Sequence, residues 1–295
     1  MRILLIGKNG QVGWELQRAL APLGEIIPVD YPEIDLANET SLRKSVRDVR
    51  PQAIVNAAAY TAVDQAEAEP DLPMAINGTA PGILAEEAND LGAVLIHYSS
   101  DYVFDGTKGE AYNEADPPKP VSVYGWSKLA GDQNIQQVDC AYLILRTTWV
   151  YSLRTGGFVQ KVLGWARKNE TLRVVSDQVG SPTWARMLAE ATAQVVAKAG
   201  NYLLPWIQER RGLYHLGGEG TVSRLDWAKA ILKYDPDPGE QIVREVLPAL
   251  TSDFPTPAKR PLYSPINCDL FADTFGLRLP DWEGALRMAM GSDHE

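Results

Sequence analysis

The sequence predicts an α/β fold, a doubly wound parallel sheet with helices on both faces and a smaller C-terminal lobe. Three observations carry that expectation. Short apolar runs alternate with helical patterns through the first half of the 295-residue chain, the order that a parallel sheet with crossover helices requires. Several of those runs are apolar on both faces, as strands covered from both sides must be. A glycine-rich turn separates the first apolar run from the first helical pattern.

Strands are expected at RILLIG (2–7), EIIPVD (25–30), AIVNAAA (53–59), AVLIHYSS (93–100) and YLILRTTWV (142–150). Helical patterns fill the gaps: VGWELQRALAPLG, ETSLRKSVRDVR, the long PDLPMAINGTAPGILAEEANDLG and SVYGWSKLAGDQNIQQ. Beyond Trp149 the pattern is less regular. Residues 156–170 read as a helix, 171–183 as a strand and turn, and 184–200 as another helix. RGLYHLGG (211–218) reads as a further buried strand, followed by a helix capped near Ser223. The last 60 residues are Pro-rich and suit loops and short helices. The AEAE run at 66–69 reads as a solvated helix start.

Composition narrows the function classes. The chain is 45% hydrophobic and 22% charged, a globular balance. It has no internal repeat and no apolar run near the ~18 residues that span a bilayer. The opening MRILLIG is broken by Gly7 too early for a signal peptide, so a cytoplasmic protein without membrane contact is expected. Cys140 and Cys268 are expected as free thiols in a reducing compartment. A net charge of −10 argues against nucleic acid, yet leaves room for a small anion held by a few Arg or backbone N–H groups. His97, His215 and His294 are scattered and lack partners at ligand spacing, so no metal site is expected. His97 and His215 read as packed strand residues.

Gly7, Gly10 and Gly13 form G-x-x-G-x-x-G between a strand and a helix. Glycine there permits positive φ and lets backbone N–H groups approach a diphosphate at a helix N-terminus. Asp30 follows Gly10 by 20 residues and ends the second strand, where a carboxylate accepts both adenosine ribose hydroxyls. This is a Rossmann-type arrangement, and the expected cofactor is NADH or NADPH. Asp30 repels a 2′-phosphate and favours NADH; Lys8 in the glycine loop offsets part of that repulsion and leaves NADPH open. The alanines of NAAAYT (56–61) let backbone lie against the second ribose. Residues 1–150 are therefore expected as the NAD(P)-binding domain, with segments around 171–235 partly returning to it. Residues 151–170 and 236–295 are expected as a substrate-binding lobe.

HYSSDYVFDG (97–106) ends a strand with Ser99, Ser100 and Asp101. Alternation along a strand lets only one of the two serines face a cleft at its carboxyl end. Tyr124 follows, with Lys128 one helical turn later on the same face. A hydroxyl, a phenol and an ammonium together suit ketone reduction. The phenol's ordinary pKa near 10 is too high for easy proton exchange at neutral pH, and a nearby Lys⁺ favours the phenolate. Ser100 would hold the carbonyl oxygen. Gly125 beside Tyr124 is read as leaving room for a cofactor against the helix.

These residues resemble the extended short-chain dehydrogenase/reductases, and within them the dTDP-4-dehydrorhamnose reductase family. The resemblance rests on GKNGQVGWELQ, IVNAAAYTAVDQAE, HYSSDYVFDG, VYGWSKLAGD, LRTTWVY, DQVGSPT, GLYHLGG and PTPAKRP, in family order from residue 7 to about 261. It implies that Tyr124 donates the proton and that Lys128 assists it while holding the nicotinamide ribose. Ser100 stands where the family usually has Thr. By the same resemblance Gly10, Gln11 and Val12 meet the diphosphate, Asp30 the ribose, and Asp35 and Leu36 the adenine side. Ala59, Tyr60 and Thr61 line the cofactor. Asp101, Tyr102 and Trp149 contact the sugar, and Arg260 the nucleotide diphosphate. Some members dimerise through magnesium held by carboxylates. A homodimer stays open here, but Arg186 stands where an acid would serve, so no metal is expected.

The implied reaction is NAD(P)H-dependent reduction of the 4-keto group of dTDP-4-dehydro-β-L-rhamnose to dTDP-L-rhamnose. Two other readings share the scaffold: a nucleotide-sugar 4-epimerase with tightly bound NAD, and a non-catalytic dinucleotide-binding regulatory subunit. A dehydratase would need an acid pair, but Asp101 is followed by Tyr102.

Overall fold

The computed structural model describes residues 1–154 and 156–291; His294 lies outside them. Its centre is a six-stranded sheet of β1 (Arg2–Ile6), β2 (Glu25–Val29), β3 (Ala53–Asn56), β4 (Val94–Ser100), β5 (Ala141–Thr147) and β6 (Gly212–His215). The spatial order is β6-β5-β4-β3-β1-β2 and every pairing is parallel. Five of the six strands fall inside the runs expected from sequence, and β5 begins one residue before its run, at Ala141. The fold is the doubly wound α/β arrangement, its chain direction across the sheet reversing at β1.

Alternation along the strands sorts the core into two layers. Ile3, Leu5, Val55, Ile96, Leu143 and Leu145 point to one face, where they meet Leu16 and Leu20 from α1 (Gln11–Ala19) with its following turn, and Leu188 and Val195 from the Ala185–Ala199 helix. That helix is one of the segments beyond residue 150 that pack on the sheet. Leu4, Ile6, Ile54, Leu95 and Ile144 point the other way, against Leu42 and Val46 of the Glu39–Val49 helix and Ile83 and Leu84 of the Ala80–Leu91 helix. Each such side chain contributes roughly 1.5–3 kcal/mol on burial, which is why β3 and β4 are buried along their whole length.

The register aligns the carboxyl ends. Val29, Ile6, Asn56 and His97 are neighbours across the sheet, and Ser100 pairs with Thr147 at the far end of β4. The residues after each strand therefore gather along one edge, where open α/β sheets bind ligands.

The later elements build a third core around Trp227, Tyr151, Val162, Leu172, Ile231 and Leu286. Thr171–Val175 pairs there with Glu245–Ala249 in parallel, a pairing partner the Pro-rich sequence did not suggest. Pro248 within that strand lies at the rim of a two-stranded pair, the setting in which a strand tolerates proline. The helix Asp269–Phe275 turns back to the sheet and buries Phe271 and Phe275 against Tyr214 of β6. Ser223 caps the Arg224–Lys233 helix by accepting the Asp226 N–H at 3.0 Å. The helical stretch before residue 92 contains a π-turn, Met74–Thr79. Cys140 is buried, Cys268 half-buried, and both are free. No helix of the described residues is long and apolar enough to cross a membrane.

The glycine turn is the tightest joint. A Cβ on Gly13 would lie 1.9 Å from the Gly7 carbonyl oxygen, whereas one on Gly164 would meet open space. Gly13→Ala is expected to lower unfolding free energy by about 1–3 kcal/mol in urea titration. Gly164→Ala, in a helix interior, is expected to raise it by about 0.5–1 kcal/mol. Equal effects at the two positions would show that the turn tolerates displacement.

Candidate active site

A cavity of about 620 Å³ opens along the carboxyl edge of the sheet. One end is the glycine turn. Gly7 has φ +92°, and its α-carbon lies so close to the Ala57–Ala58 backbone that a Cβ would come within 2.6 Å of Ala58 N. α1 begins at Gln11 without a side-chain cap, because its N-cap is Gly10. Its first-turn N–H groups are thus left for a ligand. Gln11 Oε1 is buried without a partner, a second unsatisfied group at the same place. Asp30 lines the cavity, its two carboxylate oxygens accepting the Asn9 and Tyr31 N–H groups at 3.0 and 2.9 Å. An uncapped helix, an orphaned amide and an oriented carboxylate fit a dinucleotide.

The other end carries hydroxyls. Ser100 caps the short turn Asp101–Val103, its Oγ accepting the Tyr102 N–H at 3.2 Å. Tyr124 stands on the helix Val123–Gln136, which is started by two acceptors: Ser122 takes the Gly125 N–H at 3.2 Å and Glu67 takes the Val123 N–H at 2.9 Å. Burial pushes the Tyr124 phenol above its ordinary value, while a hydrogen bond with Ser100 acts downward. Tyr102 packs edge-on against it at 5.4 Å. Asp101 is enclosed. Burial raises its pKa to about 6, against the Ser264 and Ser100 hydroxyl bonds, which lower it. Those two bonds are 2.6 and 3.2 Å long.

The structure brings Gly7, Gly10, Gln11, Val12, Asp30, Ala59, Thr61, Ser100, Asp101, Tyr102, Tyr124 and Trp149 to this one cavity. Six other sequence-selected residues lie elsewhere. Lys8 is ion-paired with Glu33. Asp35 is half-buried and accepts the Ala37 N–H, and Leu36 packs against the second core layer. Tyr60 turns its hydroxyl to Glu69 at 2.6 Å. Arg260 ion-pairs with Asp64 at 2.6 Å and reaches Tyr102 Oη at 3.3 Å. Lys128 is buried, its Nζ on the Tyr98 carbonyl oxygen at 2.8 Å rather than on the cavity.

Three local expectations need correction. Gly125 does not make room for a ligand: a Cβ there would lie 2.2 Å from the Tyr102 carbonyl, so it lets the helix close on the 101–103 turn. Ser99 lines the cavity as well as Ser100, because the cavity wraps the strand end instead of lying on one face. The acidic run at 66–69 is engaged, with Glu67 capping the Tyr124 helix and Glu69 holding Tyr60.

Sequence reasoning missed four residues. Arg224, Phe158 and Trp227 line the cavity from beyond residue 150. Arg224 lies 3.6 Å over the Trp149 ring, and Trp149 stacks on Trp227 at 5.6 Å. Desolvation lowers the Arg224 pKa to about 10, with Tyr102 and Asp101 opposing. No motif marks these positions, apart from the Ser223 cap that places Arg224 first in its helix. The fourth is Asn77 in the π-turn, which bonds both the N–H and the carbonyl of Tyr60 and the Ser127 hydroxyl.

A second cavity of about 570 Å³ adjoins the first and shares Tyr102, Phe158 and Arg224 with it. Lys161, Arg173, Arg260, Trp165 and Phe254 complete much of its wall. Cations and aromatic rings together suit a nucleoside diphosphate.

Known proteins resemble this chain along nearly its whole length. The family model for the RmlD substrate binding domain matches residues 1–293. The dTDP-4-dehydrorhamnose reductase of Burkholderia thailandensis is 40% identical over 98% of both chains. That of Escherichia coli K12 is 43% identical, over 98% of this chain and 97% of the relative. The chain belongs to the dTDP-4-dehydrorhamnose reductase family. Among solved members of that family, the Clostridium acetobutylicum structure superposes with a TM-score of 0.90 at 33% identity, covering 99% of both chains. A Bacillus anthracis structure in complex with NADP gives 0.87 at 34% identity, again over 99% of each. Members of the family are NAD(P)H-dependent oxidoreductases, and this chain is one. Among its described residues no group of His, Cys, Asp or Glu is placed to hold a metal.

Asp101 gives a pH signature. Its folded-state pKa of about 6 exceeds the unfolded value near 3.9. Its favourable contribution to folding is therefore complete below about pH 4 and lost as pH rises through about 6. Asp101→Asn is expected to remove that loss, on the order of 3 kcal/mol from about two pKa units. Urea titrations of both proteins at pH 4 and 6.5 measure the difference in slope; parallel curves would sink the assignment.

Proposed function

We propose that this chain reduces the 4-keto group of dTDP-4-dehydro-β-L-rhamnose, giving dTDP-L-rhamnose, with Tyr124 as proton donor and NADH or NADPH as the source of hydride. One observation carries the reading: Ser100 and Tyr124 line the same cavity whose far end is the uncapped α1 and Asp30. The nicotinamide, when bound, supplies hydride to the carbonyl carbon. Gln11 and Val12 at the helix start would hold the diphosphate, Asp30 the adenosine ribose, and Ala59 and Thr61 the nicotinamide side.

The protein's own groups supply the rest. Burial keeps the Tyr124 phenol protonated, the state a proton donor must occupy before the oxyanion develops. The Ser100 hydroxyl holds the carbonyl oxygen next to it and stabilises growing charge. Lys128 becomes the partner of Tyr124 once its Nζ leaves the Tyr98 carbonyl. The sugar lies between Asp101, Tyr102 and Trp149. Its diphosphate lies against Arg224 and Arg260 at the junction of the two cavities, and the base enters the second cavity between Trp165 and Phe254.

Steady oxidation of added NADH in the presence of the keto sugar tests the reading directly. Turnover with no added cofactor would instead identify an internal redox cycle of the epimerase kind. Tyr124→Phe is expected to bind cofactor normally and to lose about 10²–10⁴ in kcat, read by dinucleotide fluorescence titration and initial rates.

Cofactor preference follows from charge. Asp30 lines the site and Lys8 is committed to Glu33, so NADH is expected to serve at least as well as NADPH. Asp30→Ser is expected to raise the NADPH-to-NADH ratio of kcat/KM about tenfold, the equivalent of 1.4 kcal/mol. An unchanged ratio would remove Asp30 from the ribose site.

A further inference from the structure

Lys128 faces an imidazole ring approached by nitrogen atoms from both sides. Its Nζ lies 3.3 Å from His97 Nε2, and across the ring Asn56 Nδ2 lies 3.1 Å from Nδ1. The Asn56 amide cannot turn over, because its Oδ1 accepts the Ala58 N–H at 3.2 Å; reversed, two donors would meet there. Asn56 therefore donates to Nδ1, which must present its lone pair. His97 is enclosed on β4, and desolvation holds its pKa well below 6.5. The ring is neutral and its single proton sits on Nε2. That N–H points at Lys128, where an amine lone pair is welcome and an ammonium is not.

We propose that Asn56 and His97 form a dock for the uncharged Lys128 amine, held back from the cavity, and that uptake of a proton from water releases the side chain toward Tyr124. The inference deepens, and rests on, the reading of Lys128 as the partner of Tyr124. One hydrogen-bond chain runs from the Ala58 N–H through Asn56 and His97 to Lys128 and on to the Tyr98 carbonyl. Ala58 belongs to the cavity wall, so the chain starts at the proposed cofactor site and ends at the lysine. His97 and Asn56 are thus positioning residues.

The neighbouring charges are otherwise engaged. On the same helix Asp132 is ion-paired with Arg146 of β5 at 2.9 Å, and Tyr124 packs edge-on against Tyr102. On the turn after β4, Asp101 is held by Ser100 and Ser264. Glu86 and Glu87 of the packed Ala80–Leu91 helix are taken by Arg43 and Arg47, and Asp64 by Arg260. The π-turn 74–79 carries no ionisable side chain. Burial lowers Lys128 to about 8, with Asp132 opposing, so both charge forms are accessible near neutral pH.

NMR of the cofactor-free chain, with labelled histidine and lysine, tests the dock without reference to activity. His97 is expected as the Nε2–H tautomer from pH 5 to 9 (roughly the range in which a neutral ring and a titrating Lys128 coexist). In Asn56→Asp the carboxylate accepts from the ring, which should invert the tautomer to Nδ1–H and raise the proton affinity of Lys128 by about tenfold or more. His97→Gln, whose amide oxygen accepts from an ammonium, should raise it in the same direction. An Nδ1–H ring in the wild type, or a Lys128 titration unmoved in both variants, overturns the proposal. The kinetic arm is separate. Reductase rate should fall as pH rises through the Lys128 pKa, and that limb should move upward in Asn56→Asp. Absence of wild-type turnover would overturn the reductase reading, with the ring tautomer still deciding the dock.

Discussion

Parallel pairing across all six strands is the constraint on which everything else depends. A parallel strand must be re-entered from the same end, so each crossover delivers its following loop to one edge of the sheet. With Val29, Ile6, Asn56 and His97 level across the strands, the glycine turn, Asp30, the Ala57–Thr61 segment and the serines after β4 all emerge together. Residues spread over most of the first half of the chain thus share one cavity without any long-range contact designed for that purpose.

Small residues convert proximity into a usable site. Gly7 and Gly13 let the first helix start against the strand ends, leaving its N–H groups and Gln11 unsatisfied. Gly125 works in the opposite sense, drawing the Tyr124 helix onto the Tyr102 carbonyl and so setting Tyr124 beside Ser100. One glycine opens a space and another closes one.

Burial then sets the proton inventory. The Tyr124 phenol is held protonated, Asp101 titrates near 6, and Lys128 near 8. These are the consequences of desolvation more than of charge pairing, since the obvious acid, Asp132, is spent on Arg146. The phenol therefore carries its proton at neutral pH, as a group that must donate to an alkoxide requires. Among the described residues Arg224, lodged over Trp149, is the cation that lines both cavities.

Much of this was legible in the sequence. Period and apolar content placed all six sheet strands, because doubly buried strands need continuous apolar runs. Strand–glycine–helix order, Asp30, Ser100 and Tyr124 could be read because each lies at the end of an element whose geometry is local. What the sequence could not fix was contact between separate elements. Arg224 and Phe158 reach the cavity only through the packing of the later core. Asn77 depends on a π-turn that its helical pattern conceals, and Gly125 on which backbone comes to lie over it. The helix period put Lys128 on the face of Tyr124, but its Nζ went to Tyr98 and His97, because a buried amine takes the nearest partners in the strand beneath it. Period and composition determined the scaffold and the order of its parts; the tertiary structure alone decided which polar groups meet, since hydrogen bonds are satisfied by neighbours in space and not along the chain.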